Sequence, residues 1–118
     1  MFPSAGECAG SQIAGIIQRF KESLEHQGIT PQRIILFGSR ARETAGEYSD
    51  IDLVVISGDF REMDFMQRCA VLGRAIAAIM EPIEPLAYTP EEFERAQEEK
   101  AGFLYTVLTD QKAIEYRL

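Results

Sequence analysis

Histidine is almost missing from this sequence. His26 is the only one in 118 residues, which excludes multi-histidine zinc centres and argues against a serine–histidine triad. Cysteine is nearly as scarce: Cys8 and Cys69 lie far apart and form neither a disulfide framework nor a metal-ligand spacing, so both read as reduced thiols. Long apolar runs are lacking too. No stretch reaches the roughly eighteen apolar residues of a membrane span, and residues 1–10 have neither a basic opening nor a long apolar core, so a cytoplasmic chain without span or secretory signal is expected. Positive charge is in deficit, with twelve basic against nineteen acidic residues and a formal net charge of −7. That balance is the opposite of the broad basic footprint of nucleic-acid-binding domains and disfavours a long nucleic-acid partner. A triphosphate needs only a few local cations, so a nucleotide is not excluded.

What is present is ample apolar material, 46% of the chain, enough for one hydrophobic core and consistent with a single domain over residues 1–118. Ile13, Ile16, Ile17, Phe20 and Leu24 recur every three to four positions and end before Gly28, which predicts an amphipathic helix with a glycine stop. His26 falls on its solvated side. Arg33 to Gly38 is a compact branched run closed by glycine and reads as a buried strand, followed by a helical turn over Ser39 to Thr44. Asp50 to Ile56 reads as a second strand. Met66, Cys69, Ala70, Gly73, Ile76, Ala77 and Met80 repeat with helical period, which predicts a second helix with Met63, Met66 and Met80 as core filling. Ile83 to Tyr88 is a third strand, placed at an edge or in an irregular position by Pro82 and Pro85. Thr89-Pro90-Glu91-Glu92 announces another helix, with Thr89 as N-cap, Pro90 at the first helical position and Glu92 closing a capping box. Phe93, Ala96, Phe103, Leu104, Val107 and Leu108 supply its apolar side, or that of two consecutive helices broken near Gly102. Lys112 to Tyr116 closes the chain as a short strand. The fold class expected is a mixed α/β (α+β) domain, a small mixed sheet flanked by helices.

The chemistry concentrates at Gly38-Ser39-Arg40-Ala41-Arg42 and Ser49-Asp50-Ile51-Asp52, where ten residues separate Gly-Ser from Asp-x-Asp. A glycine that ends a strand and opens a helical turn lets backbone N–H groups and the Ser39 hydroxyl point at phosphate oxygens. Asp50 and Asp52, two apart on a strand, project from one face while Ile51, Leu53 and Val55 enter the core. Two carboxylates side by side favour a cation between them, and Mg²⁺ takes such oxygen ligands together with phosphates and water. Arg40 and Arg42 are candidate phosphate contacts, equally able to stand in solvent or pair with Glu43 and Glu47.

These motifs resemble the minimal nucleotidyltransferases of the polymerase-beta superfamily. The resemblance extends to Thr89-Pro90-Glu91-Glu92-Phe93 and Phe103-Leu104-Tyr105. It implies a polymerase-beta-like fold and a nucleotidyl-transfer site in which Asp50 and Asp52 bind Mg²⁺ and Gly38 and Ser39 hold a nucleoside triphosphate. Such sites usually carry a third carboxylate, commonly aspartate, on the strand before the Thr-Pro-Glu-Glu helix. Glu84 fills that place, followed by Pro85.

Three functional readings follow. The leading one is an enzyme that transfers a nucleoside monophosphate, AMP from ATP, to a hydroxyl, with Glu84 holding metal or accepting the hydroxyl proton. Small standalone members resemble the antitoxin partners of HEPN-type toxins, which implies a tyrosine of the partner as acceptor. The competing reading is a binding module that neutralises a partner by contact, with Glu84-Pro85 marking a vestigial site. Transfer onto a small molecule such as an aminoglycoside is the third. Self-association is left open.

Overall fold

The computed structural model describes residues 11–38, 50–110 and 113–116. The first helix, α1 (Ser11–His26), buries Ile16, Ile17, Phe20 and Leu24 and leaves His26 exposed. It ends where Gly28 adopts φ +85° and the Ile29 N–H turns back to the Leu24 carbonyl at 3.0 Å. Ile29 enters the core directly behind this stop.

Among the described residues four strands follow: β1 (Arg33–Phe37), β2 (Ile51–Ile56), β3 (Ile83–Tyr88) and β4 (Ile114–Tyr116), in the spatial order β3-β2-β1-β4. β1 runs antiparallel to β2 and β4, whereas β2 and β3 are parallel. The parallel pair needs a crossover, and α2 (Phe65–Ile79) supplies it. Ile34, Leu36, Ile51, Leu53 and Val55 pack against α1 and α2. Ile35, Val54 and Ile56 face Phe93 of α3 (Pro90–Glu99) and Leu104, Val107 and Leu108 of α4 (Gly102–Leu108). Both faces of β1 and β2 are therefore covered, which is why their sequences are nearly continuous aliphatic runs. The result is a small mixed sheet between two helical layers, an α+β fold.

β3 is an edge strand. The Ile51 N–H bonds to the Pro82 carbonyl at 2.8 Å and the Ser57 N–H to the Tyr88 carbonyl at 3.0 Å, so by period two the even positions of β3 face β2. Pro85 is odd, and its missing N–H falls on the outer rim, where proline is tolerated. α3 begins as expected, with the Thr89 hydroxyl accepting from the Glu92 N–H at 3.1 Å and Glu92 Oε1 accepting from the Thr89 N–H at 2.7 Å. The apolar run after Thr89 forms two helices. Lys100 ends α3 in the left-handed region and Gly102, at φ +91°, opens α4.

Two features depart from expectation. A 3-10 turn at Gly58–Phe60 buries Phe60 completely, and α2 starts from a second capping box, Asp64 with Gln67. The face of α2 also differs. Its buried side consists of Val71, Leu72 and Ala75, while Met66, Cys69, Ala70, Gly73, Ala77 and Met80 are exposed. Met66 and Met80 are thus not core filling; Met63, partly buried against the core, is. No described helix is long and apolar enough to cross a membrane.

Candidate active site

The candidate residues meet where β1 ends and β2 and β3 begin. Asp52 is the register partner of Phe37 on one side and of Glu84 on the other. It shares a sheet face with Val54 and Ile56, so it stands on the α3/α4 side, at the margin of the core rather than within it. Asp50 precedes β2 and is exposed, Asp52 is half-buried, and Glu84 is exposed. Gly38 follows β1 at φ +75°. A Cβ there would come within 3.2 Å of Asp52 Cγ and closer still to Oδ2, so its left-handed backbone favours glycine and any side chain would displace the Asp52 carboxylate.

Electrostatics make this an acid-rich corner. Hydrogen bonding to Asp50, reinforced by the negative charges of Asp50 and Asp52, holds the Glu84 carboxyl above its ordinary value. Burial raises Asp52, the hydrogen bond from Glu84 acts in the opposite direction, and the charge of Asp50 adds to the rise. Carboxyl groups set this close to one another favour a cation among them. As donors they are all hard oxygens, the type that Mg²⁺ and similar dications take. Among the described residues no three acidic, histidine or cysteine side chains are set around a common centre as metal ligands. Glu84 instead makes side-chain hydrogen bonds to both aspartates.

Of the residues singled out from the sequence, Gly38, Asp50, Asp52 and Glu84 are brought together. Ser39, Arg40 and Arg42, and the turn expected over Ser39 to Thr44, lie outside the described residues. One neighbour was not anticipated as part of the site. Phe103 on α4 is 57% exposed and stands edge-on to Phe37, ring centroids 5.9 Å apart, on the strand position paired with Asp52. Its helical spacing placed it on the apolar side of α4, and periodicity carries no signal that would separate a packed ring from one left at a rim.

The chain belongs to the nucleotidyltransferase-domain family, whose model matches residues 17–116. Among solved structures, it is similar to a candidate nucleotidyltransferase from Sulfolobus solfataricus, with 23% identity and a TM-score of 0.49 over 77% of this chain and 85% of that one. It is also similar to a chain of a toxin–antitoxin structure with AMP-PNP, with 24% identity and a TM-score of 0.46 over 59% of this chain and 55% of that one. No curated protein matches it.

Proposed function

We propose that the chain is a Mg²⁺-dependent nucleotidyltransferase, a single cytoplasmic domain over residues 1–118 that moves AMP from ATP onto a hydroxyl group. The observation that carries this reading is the meeting of Asp52 with Glu84 across β2 and β3, beside Asp50 and against the bare backbone of Gly38. Asp50, Asp52 and Glu84 are the residues that would hold Mg²⁺, which when bound supplies neutralisation of the triphosphate and of the charge that develops on pyrophosphate. Gly38 and Ser39 hold the triphosphate, with Arg40 and Arg42 assigned to its phosphates. The acceptor oxygen bonds to the α-phosphorus, the bond from that phosphorus to the bridging oxygen breaks, and pyrophosphate leaves with the electron pair. Glu84 takes the hydroxyl proton.

The acceptor we assign is a tyrosine on a partner protein of the HEPN toxin type, so that the chain acts as an antitoxin. The motif resemblance supports this, and so does exposure: Asp50 and Glu84 stand at the surface, where a hydroxyl carried on another protein can reach them. A second reading, a binding module that neutralises its partner by contact alone, is favoured by one observation: among the described residues no three acidic, histidine or cysteine side chains are set as metal ligands, and Glu84 is followed by Pro85.

Labelled ATP, Mg²⁺ and a co-expressed partner separate the two. Glu84→Gln is expected to keep most triphosphate affinity and to lower transfer by about 10²–10⁴-fold, the usual contribution of a general base. Glu84→Asp withdraws the carboxylate by one methylene and is expected to be slower than wild type. Equal labelling by wild type and Glu84→Gln removes Glu84 from the mechanism. Inhibition of the partner without any labelling establishes the binding module.

A further inference from the structure

Phe103 stands at the rim of the acid corner and outside the buried cluster that α4 joins. Leu104, Val107 and Leu108 carry that helix into the core, whereas Phe103 is 57% exposed. Burying a phenyl ring is among the larger single contributions to a core, and Phe20, Phe60 and Phe93 are all buried. A lone exposed apolar side chain is ordinary on a surface, so exposure by itself assigns nothing. The place of this ring is what singles it out.

Across the start of the sheet, one face carries Glu84, Asp52, Phe37 and Phe103 in that order. Glu84 and Asp52 are register partners on β3 and β2, and Asp52 and Phe37 are register partners on β2 and β1. Phe37 packs with the α3/α4 cluster, on the same face as Asp52. Phe103 continues the row, its ring centroid 5.9 Å from that of Phe37 and the two planes at 73°. Such an edge-to-face contact occupies at most one face of each ring, so Phe103 keeps a flat apolar face open to solvent beside the corner.

We infer that Phe103 is the platform on which the base of the nucleoside triphosphate stacks. The platform presupposes the nucleotidyltransferase reading above and gives the nucleotide its place within that site. Gly38, assigned to the phosphates, directly follows Phe37, and Glu84, assigned to the acceptor hydroxyl, stands on the opposite side of Asp52. The nucleotide therefore has the β1 side of the corner and the acceptor the β3 side. Opposed residues of an antiparallel pair have Cβ atoms about 5 Å apart, so the two steps from Asp52 through Phe37 to Phe103 amount to about 10 Å. That is the reach of one ribose and its base from an α-phosphate held at the acids.

The chemistry of the ring selects the part of the substrate it meets. Phosphates and ribose are hydrated and have no π face, whereas the base is flat, uncharged and aromatic. Every base has such a face, so a phenyl platform supplies affinity without reading base identity. Purines offer more ring area than pyrimidines. As far as this ring decides, ATP and GTP are held alike, and both ahead of CTP and UTP.

The test compares ATP and GTP with inorganic tripolyphosphate, which carries the charge without a base, all with Mg²⁺ and the full chain. In calorimetry Phe103→Ala and Phe103→Leu should each bind ATP and GTP about 10–100-fold more weakly and tripolyphosphate as wild type does. Phe103→Leu separates platform from packing, since leucine keeps an apolar contact with Phe37 and lacks a ring face. Phe103→Tyr keeps the ring and should retain affinity. The chain has no tryptophan, so Phe103→Trp installs a single fluorophore, whose emission ATP should quench and tripolyphosphate should not. ATP affinity unchanged in Phe103→Leu, equal losses for ATP and tripolyphosphate, or equal quenching by both overturns the platform and leaves the nucleotidyltransferase reading standing. A wild-type chain that binds neither probe overturns that reading and the platform with it.

Discussion

The two ends of β2 are built on opposite principles. Beyond its last residue the polar groups are matched. Ser57, fully buried, donates to the Thr30 carbonyl at 2.8 Å and accepts from the Asp59 N–H, while Asp59 Oδ2 accepts from the Thr30 N–H at 2.8 Å. Nearby, Arg61 makes two bonds of 2.7 Å to Glu91, and Arg68 reaches the carbonyls of Phe60, Met63 and Ala87 as well as Glu92. At the first residues of β2 acids meet acids. Among the described residues, the charges of Asp50 and Asp52 act on Glu84, and that of Asp50 acts on Asp52. A corner that concentrates like charge next to a glycine is poorly arranged for stability and well arranged for a cation and phosphates.

Asp52→Asn should separate the two ends most sharply. Loss of one carboxylate is expected to reduce Mg²⁺-dependent transfer by about 10³-fold or more, since metal charge stabilisation supplies several kcal/mol. Metal-free thermal stability should be equal or higher, because one of three clustered charges is gone. A protein that unfolds at lower temperature while retaining transfer contradicts the contrast.

Arg68→Ala is the converse. It strands three carbonyls and Glu92 around a side chain only 16% exposed, and chemical denaturation should report a loss of about 2–3 kcal/mol, with triphosphate affinity per folded molecule unchanged. Gly38→Ala tests the join between the regions. A left-handed alanine costs about 1–2 kcal/mol, and its Cβ would displace Asp52, so stability and transfer should fall together. If only stability falls, Gly38 serves the turn alone.

The smallest effect is expected at Glu92. Burial pushes this carboxyl up, but the Thr89 N–H and the Arg68 guanidinium outweigh it, and the net value is lowered. A carboxyl lowered in the folded state contributes stability above its unfolded value, and that contribution disappears as pH falls through the folded value. Glu92→Gln should therefore be less stable than wild type by about 1 kcal/mol at neutral pH, discounted because the side chain is about half exposed, and equal to it in acid. A difference that persists below pH ~3 would assign the effect to packing.

Local rules made much of the molecule legible. The capping box at Thr89 and Glu92 and the stop at Gly28 depend on neighbours a few residues apart, and so could be read from spacing. The outer rim of Pro85 followed from the chemistry of a missing N–H. The gathering of Asp50, Asp52 and Glu84 was only partly legible: the aspartates are two apart at the start of one strand, but the place of Glu84 beside them was implied by the motif resemblance, because β3 reaches β2 only through the crossover. Ser39, Arg40 and Arg42 remain expectations from motif alone.

Composition and spacing therefore determined the elements, their order, and the residue types that make an acid corner beside a glycine, because hydrogen-bond caps, backbone conformation and strand period act within a few residues. Only the tertiary structure decided which surfaces are buried. α2 is apolar nearly all round, so its pattern offered two faces, and periodicity alone favoured the uncharged stripe through Met66, Gly73 and Met80. The sheet and α1 took Val71, Leu72 and Ala75 instead. The face that covers a helix lies on strands far away in the chain, and no local pattern records which side they will reach.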